Sequence, residues 1–298
     1  MSHSIVIVIP YFGPWPEWMN FWVETCRANR TIDWILFGDA EPPENKGPNV
    51  RFVRTTFEEY RALLSDRLGT PVGADTPYKL CDIRPALGVV HADLVKAYDF
   101  IGFGDLDVFY GDIRATYDDD TLRSYDLLSS HPHRVSGHFC LMRNREDVIT
   151  AFRRAPGWKA AVSRADYLNF DERALHTLLT GKRLFGSRDA KSIRGLFREA
   201  YSTPGATEEM RWYWQDGVLT NEFYPRHPFM YLHVMSWHSN RWFSSQPHVQ
   251  PGSAAPWMLL PQVVQMNWRE ARKSGFMISP KGIQPIERRA YPSNRSEA

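Results

Sequence analysis

The run Ser4 to Pro10, SIVIVIP, limits most strongly what this chain can become. No polar residue interrupts it between Ile5 and Ile9, so the alternation of a half-exposed strand is missing and both of its faces must be covered. Strands covered on both faces belong to parallel sheets carrying helices on each side. The next residues keep to that plan. Tyr11 to Pro16 makes a turn, and WMNFWVETCRAN sets Trp18, Phe21, Trp22 and Thr25 at helical spacing, with Pro16 suited to its start. DWILFGD, Asp33 to Asp39, reads as a second strand, NVRFVRT as a third and FEEYRALLSDRLG as a helix. The expected class is α/β, with a Rossmann-like, mixed and mostly parallel sheet flanked by helices. Neither G-x-G-x-x-G after the first strand nor G-x-x-x-x-G-K-[ST] occurs, so neither a dinucleotide-redox fold nor a P-loop is supported.

The stretch with most chemical content is IGFGDLDVFYGDIR, Ile101 to Arg114. If the strand continues through Asp105-Leu106-Asp107, both acids share one face while Leu106 and Val108 take the other. Two converging carboxylates suit a hard divalent cation, Mg2+ or Mn2+, shared with a substrate diphosphate. Arg84, Lys79 or Arg114 is the alternative source of positive charge, since unpaired carboxylates in an apolar run are costly. A D-x-D triplet arises by chance about once in a chain of this length. Asp118 and Asp120 make a second one in TYDDDTLRSYD, whose polar context reads as helix caps and solvated turn.

Other candidates carry two readings each. Tyr11 and Phe12, just past the first strand, sit where a base could stack or where a loop simply packs; Asp39 could accept from a base N–H or ribose hydroxyl, or cap a turn. Thr76 to Phe100 begins a helix at Pro77, on which Lys79, Asp82 and Arg84 either reach donor phosphates and sugar or form a local ion pair. SYDLLSS and GHFCLMRN read as further strands, and His131 and His133 between them as a solvated loop without zinc spacing. Asp171-Glu172 opens another helix, either as first-turn acids or as a carboxylate pair facing a cleft. Within Met230 to Phe243, His233 could complete a metal's coordination, and His238 or Arg241 could reach phosphate oxygens; a satisfied core histidine is the alternative. Lys182 to Gln215 yields no function.

Charge narrows the partners: 36 Lys plus Arg against 34 Asp plus Glu is too balanced for wholesale nucleic-acid binding. Cys26, Cys81 and Cys140, odd in number, point to free thiols in a reducing compartment. No signal peptide precedes the first strand and no apolar run approaches the roughly 20 residues of a membrane span, so a cytoplasmic protein without transmembrane segments is expected. Residues 1–245 are read as one domain and 246–298 as a partly irregular C-terminal extension with a helix at PQVVQMNWREARKSG and disordered last residues.

In order and spacing, IPYFGPWPEW, DWILFGD, PYKLCDIRPALG, GFGDLDVFYGDI, GHFCLMRN and NFDERAL resemble a bacterial group of GT-A-type glycosyltransferases. More distantly they resemble retaining galactosyltransferase and glycogenin-like enzymes. The resemblance spans Ile5 to Leu179. It implies a GT-A fold in which Asp105 and Asp107 bind Mn2+ or Mg2+ and the donor diphosphate, with His233 as a further metal ligand. It implies that Pro10, Tyr11, Phe12 and Asp39 hold the nucleoside of a UDP- or GDP-type sugar donor. Lys79, Asp82 and Arg84 would approach the donor sugar or phosphates, with His238 and Arg241 assisting, and the catalytic side would be lined by Asp171 and Glu172. The acceptor would be a carbohydrate or other hydroxyl, in a bacterial glycan, polysaccharide or glycosylated metabolite, and retention of configuration is favoured. The Gly and Lys-Pro-Trp that usually follow the metal-binding His are replaced here by Ser236 and Arg241-Trp242. A nucleotidyltransferase releasing pyrophosphate and a non-catalytic nucleotide- or carbohydrate-binding module are the alternatives.

Overall fold

Alternation along the first strand explains its unbroken apolar sequence. In the computed structural model, which describes residues 2–180, 193–198, 202–205, 210–237 and 263–286, Ile5, Ile7 and Ile9 enter one hydrophobic cluster and Val6 and Val8 another. The strand therefore divides two cores. Each such side chain, taken wholly from water, stabilises the fold by about 1.5–3 kcal/mol.

The strands, in chain order, begin with β1 (Ile5–Pro10), β2 (Ile32–Gly38), β3 (Val50–Arg54), β4 (Phe100–Gly104), β5 (Val108–Tyr110), β6 (Leu127–Ser129) and β7 (Phe139–Arg143). They continue with β8 (Gly195–Phe197), β9 (Trp212–Gln215), β10 (Val218–Asn221), β11 (Tyr231–His233), β12 (Phe276–Ser279) and β13 (Gly282–Gln284). A seven-stranded sheet has the order β3-β2-β1-β4-β7-β6-β8. Within it β7 runs antiparallel to both of its neighbours, and the other pairings are parallel. The carboxyl ends of β1, β2, β3, β4 and β6 consequently share an edge with the start of β7. The fold is α/β with a mixed, mostly parallel sheet, as expected.

Helices cover both faces. Met19–Ala28 buries Phe21 and Trp22 in the cluster that holds Ile7, and Phe57–Leu68 buries Tyr60, Leu64 and Leu68 in the one that holds Val6. The second of these starts at a capping box, in which Thr56 accepts from the Glu59 N–H and the Glu59 carboxylate accepts from the Thr56 N–H. It stops at Gly69, whose φ of 64° is the left-handed conformation that glycine adopts without penalty. The helix expected from Pro77 is instead a 3-10 helix, Pro77–Ala86, followed by single turns Leu87–Val90 and Ala92–Val95. Pro85 has no N–H to give an α-helical ladder there.

A second sheet of order β10-β9-β12-β13 packs its Trp212, Trp214, Phe276 and Ile278 into the Ile7 cluster. Its first hairpin turns at Asp216-Gly217, with φ of 50° and 83°, the two-residue turn for which Asp-Gly is suited. Residues 263–286, placed by sequence in an extension, bring Ala271, Phe276 and Ile283 into this same core through the helix Trp268–Ser274 and the β12–β9 pairing. Cys26, Cys81 and Cys140 are all free thiols. Among the described residues no helix is long and apolar enough to cross a membrane.

A candidate active site of two aspartates and a histidine

β4 ends at Gly104, and Asp105-Leu106-Asp107 forms the turn into β5. This corrects the expectation of acids alternating along a strand. The turn is tied into the pairings on both sides of it: Asp105 N–H donates to the His138 carbonyl at 3.2 Å, in register with β4–β7, and Val234 N–H donates to the Asp107 carbonyl at 2.9 Å, in register with the pairing of β5 and β11. The indole N–H groups of Trp22 and Trp18 donate to the carbonyls of Asp105 and Leu106 at 3.2 and 2.7 Å. Leu106 is buried beneath them. Two aromatic residues in and beside the first helix thus hold the acidic turn rigid.

Position 233 reaches the turn through a ribbon. β11 pairs antiparallel with β5 in the register Tyr231↔Tyr110, Leu232↔Phe109, His233↔Val108, so His233 lies beside Asp107. Its Nε2 is 3.6 Å from Asp107 Oδ2, while its Nδ1 is 3.3 Å from the Thr203 hydroxyl. A partner on the far nitrogen fixes the ring and aims the other nitrogen, as around metal-binding histidines generally. The ring of His138 stacks on His233 with centroids 4.0 Å apart, and its own Nε2 is 2.8 Å from the Tyr231 hydroxyl. Burial, reinforced by His233, holds His138 well below the usual histidine range, which favours the neutral ring.

One ligand atom from each of Asp105, Asp107 and His233 lies within 4.8 Å of the others. Two carboxylates and an imidazole nitrogen make a donor set that fits a divalent cation with further positions for phosphate or water oxygens.

Of the three cations named from sequence, only Arg84 stands beside the acids. One arm of its guanidinium contacts Asp105 Oδ1 and the other donates to Asp171 Oδ2 at 3.1 Å. Burial alone would lower its pKa, but Asp105, Cys81 and Asp171 raise it well above the usual value, so the cation persists. Asp171 itself is fully enclosed, and burial lifts its carboxyl to about 6 against the pull of Arg84. Glu172 is nearer the surface, 3.3 Å from Arg134. Gly137 closes this group from above: a Cβ there would lie 3.0 Å from both Arg84 Nη1 and Asp171 Oδ2 and 3.2 Å from Glu172 Oε1.

The remaining candidates divide. Lys79 and Asp82 are buried and bonded to each other at 2.8 Å, and further bonds tie them to the carbonyls of Ala161 and Asp166 and the N–H groups of Leu168 and Phe170, so the local ion pair is what forms, but inside the protein. Arg114 serves Thr31, Asp119 and the His3 carbonyl, away from the acids. Phe12 is core, packed on Phe57 and Tyr60, and does not offer a stacking face. Tyr11, directly after Pro10, stacks on Trp15 at 5.3 Å, and Asp39 accepts from the Gly13 N–H at 2.8 Å, tying that loop to the end of β2. Asp118 caps the helix Asp119–Ser124, as the second triplet's context implies. His238 and Arg241 lie outside the described residues. Sequence reading passed over His138, Thr203 and Tyr231, which matter only through partners far along the chain. Local spacing held no sign of them.

Solved structures similar to the chain include glycosyltransferases. A galactosyltransferase, LgtC, in complex with donor and acceptor sugar analogs is 14% identical over 56% of this chain and 68% of that one, with a TM-score of 0.34. Mouse xyloside xylosyltransferase 1 is 9% identical over 57% and 79%, with a TM-score of 0.35. The glycosyltransferase GlyE of Streptococcus pneumoniae TIGR4 is 11% identical over 69% and 47%, with a TM-score of 0.36. No curated protein matches the sequence. A family model described as "Family of unknown function (DUF6625)" matches residues 7–259.

Proposed function

We propose that this chain, which belongs to the family of unknown function DUF6625, transfers a sugar from a nucleotide-diphosphate donor to a hydroxyl acceptor using a divalent cation, Mn2+ or Mg2+. Asp105, Asp107 and His233 would hold the cation. The observation that carries this reading is their convergence, with Arg84 alongside, at the edge where the parallel strands end, the usual ligand position in such sheets. When bound, the cation supplies charge neutralisation at the leaving diphosphate, typically worth several kcal/mol.

The chain's own groups complete the chemistry. Arg84 carries a permanent planar charge suited to paired phosphate oxygens. Asp171, buried and bonded to Arg84, is a positioning residue that aims it. Glu172, at the rim, is the carboxylate placed to receive the acceptor's proton as the anomeric carbon leaves the diphosphate oxygen and bonds to the acceptor oxygen. Pro10, Tyr11 and Asp39 border the nucleoside's place. Retention of configuration is the proposed outcome, which requires the acceptor oxygen to bond on the face that the diphosphate leaves, and the anomeric coupling of the first-formed product checks it.

Calorimetry with UDP and GDP, each with and without Mn2+, tests the whole. Nucleotide binding that requires the metal is expected. Binding indifferent to it would favour a non-catalytic module, and pyrophosphate release from a triphosphate would mark a nucleotidyltransferase.

A further inference from the structure

Tyr78 stands out on the 3-10 helix that carries Arg84, because its aromatic side chain is 61% exposed. Its ring meets Tyr167 edge-on at 5.0 Å and 72°. The Tyr167 hydroxyl is 3.5 Å from Asp171 Oδ1, and the other oxygen of Asp171 holds Arg84. A chain of contacts thus leads outward from His233 and Asp107 through Asp105, Arg84, Asp171 and Tyr167 to Tyr78. The two tyrosines end this chain of contacts, with Tyr78 still within reach of the charges of Arg84 and Asp105. Neither ring belongs to either hydrophobic cluster.

The fold fixes this pair with buried charges. Lys79, next to Tyr78, donates to Asp82 and to the carbonyls of Ala161 and Asp166 at 2.8, 2.7 and 2.8 Å. Asp82 in turn accepts from the N–H groups of Leu168 and Phe170 at 2.8 and 2.7 Å. The residues on either side of Tyr167 are therefore clamped by the ion pair that begins beside Tyr78. Asn169 in the same loop sits at φ 58°, a left-handed conformation that asparagine adopts more readily than other non-glycine residues. Buried ion pairs contribute little net stability against an apolar replacement, so their use here is placement.

We propose that Tyr78 and Tyr167 form the acceptor subsite, a platform for the apolar face of a pyranose ring. A sugar offers C–H groups on its face and hydroxyls around its rim. Tyrosines supply an apolar surface with a polar tip, and Glu172 with Arg134 supplies hydrogen-bonding groups nearby. The acceptor role rests on the glycosyl-transfer reading; the sugar platform itself does not.

An array of immobilised oligosaccharides, probed with the labelled full chain in Mn2+ and UDP, is the test, followed by titration of the best binder against wild type, Tyr78→Ala and Tyr78→Trp. Tyr78→Ala should weaken oligosaccharide binding about tenfold and Tyr78→Trp should retain it, as stacking requires a ring and not a hydroxyl. Mn2+-dependent UDP binding should be the same in all three. A wild-type chain that binds no oligosaccharide, or one that Tyr78→Ala binds equally well, overturns the platform. Loss of metal-dependent nucleotide binding in the wild type would instead overturn the donor reading and leave the array result standing.

Discussion

Two ion pairs on one short helix have different characters. Lys79–Asp82 is wholly enclosed, and its hydrogen bonds run to protein carbonyls and amides of residues 161–170. Arg84–Asp105 stands at the rim, where the Asp105 side chain keeps 30% of its surface and belongs to the Asp-Asp-His cluster. One is local, Lys with an Asp at i,i+3, and the other joins Arg to an Asp 21 residues away, but neither fact separates their roles. What does is whether water, and so a ligand, can reach the carboxylate: the first pair is a fixture of the fold and the second is exchangeable.

That contrast can be broken at four points. Asp82→Ala should give the largest effect, a loss of about 3–5 kcal/mol in denaturant unfolding, because Lys79 is left charged and enclosed. A loss under about 1 kcal/mol would make the two pairs equivalent. Asp107→Ala should lower Mn2+ affinity about 100-fold by calorimetry or electron paramagnetic resonance while the unfolding midpoint stays put. An unchanged affinity would remove the cation from the site.

Asp171 tests the link between the pairs through pH. Its carboxyl, raised to about 6 from 3.8 mainly by burial, binds a proton more tightly folded than unfolded. The resulting stabilisation is complete below pH 3.8 and is lost as pH rises through about 6. Stability of the wild type relative to Asp171→Asn should accordingly fall by about 2 kcal/mol between pH 4 and pH 7. A flat difference would mean that Arg84 keeps Asp171 ionised throughout. Arg84→Gln is the subtlest change and has the opposite sign to Asp107→Ala: with no guanidinium competing for Asp105, Mn2+ alone should bind several-fold, up to about tenfold, more tightly while the metal–nucleotide complex binds less well. Weaker binding of the bare metal would show that the Arg84–Asp105 pair is as fixed as its buried neighbour.

The first three strands, the position of the acidic turn and the helix beginning at Phe170 were legible because each is written in a local pattern: apolar runs, helical spacing, an acid where a run stops. Those patterns carry no depth. Lys79 and Asp82 read as surface or ligand-facing residues and Phe12 as a stacking or loop-packing one, and all three are interior once residues 161–170 and the helix Phe57–Leu68 close over them. Nor do local patterns carry long-range register. His233 was picked out by its aromatic surroundings, but its place against Asp107 is set by the β5–β11 ribbon, and Tyr231, Thr203 and His138 matter only once that ribbon exists. The second sheet was missed for the same reason, since β12 finds β9 across a long stretch of chain.

The ribbon also dictates when, during synthesis, a site of this kind can exist. A nascent chain that has emerged through β8 carries both carboxylates but not His233, because β11 lies further on. The Asp-Asp-His cluster is assembled only after residue 233 has left the ribosome, so shorter nascent chains lack the histidine of the proposed cation site.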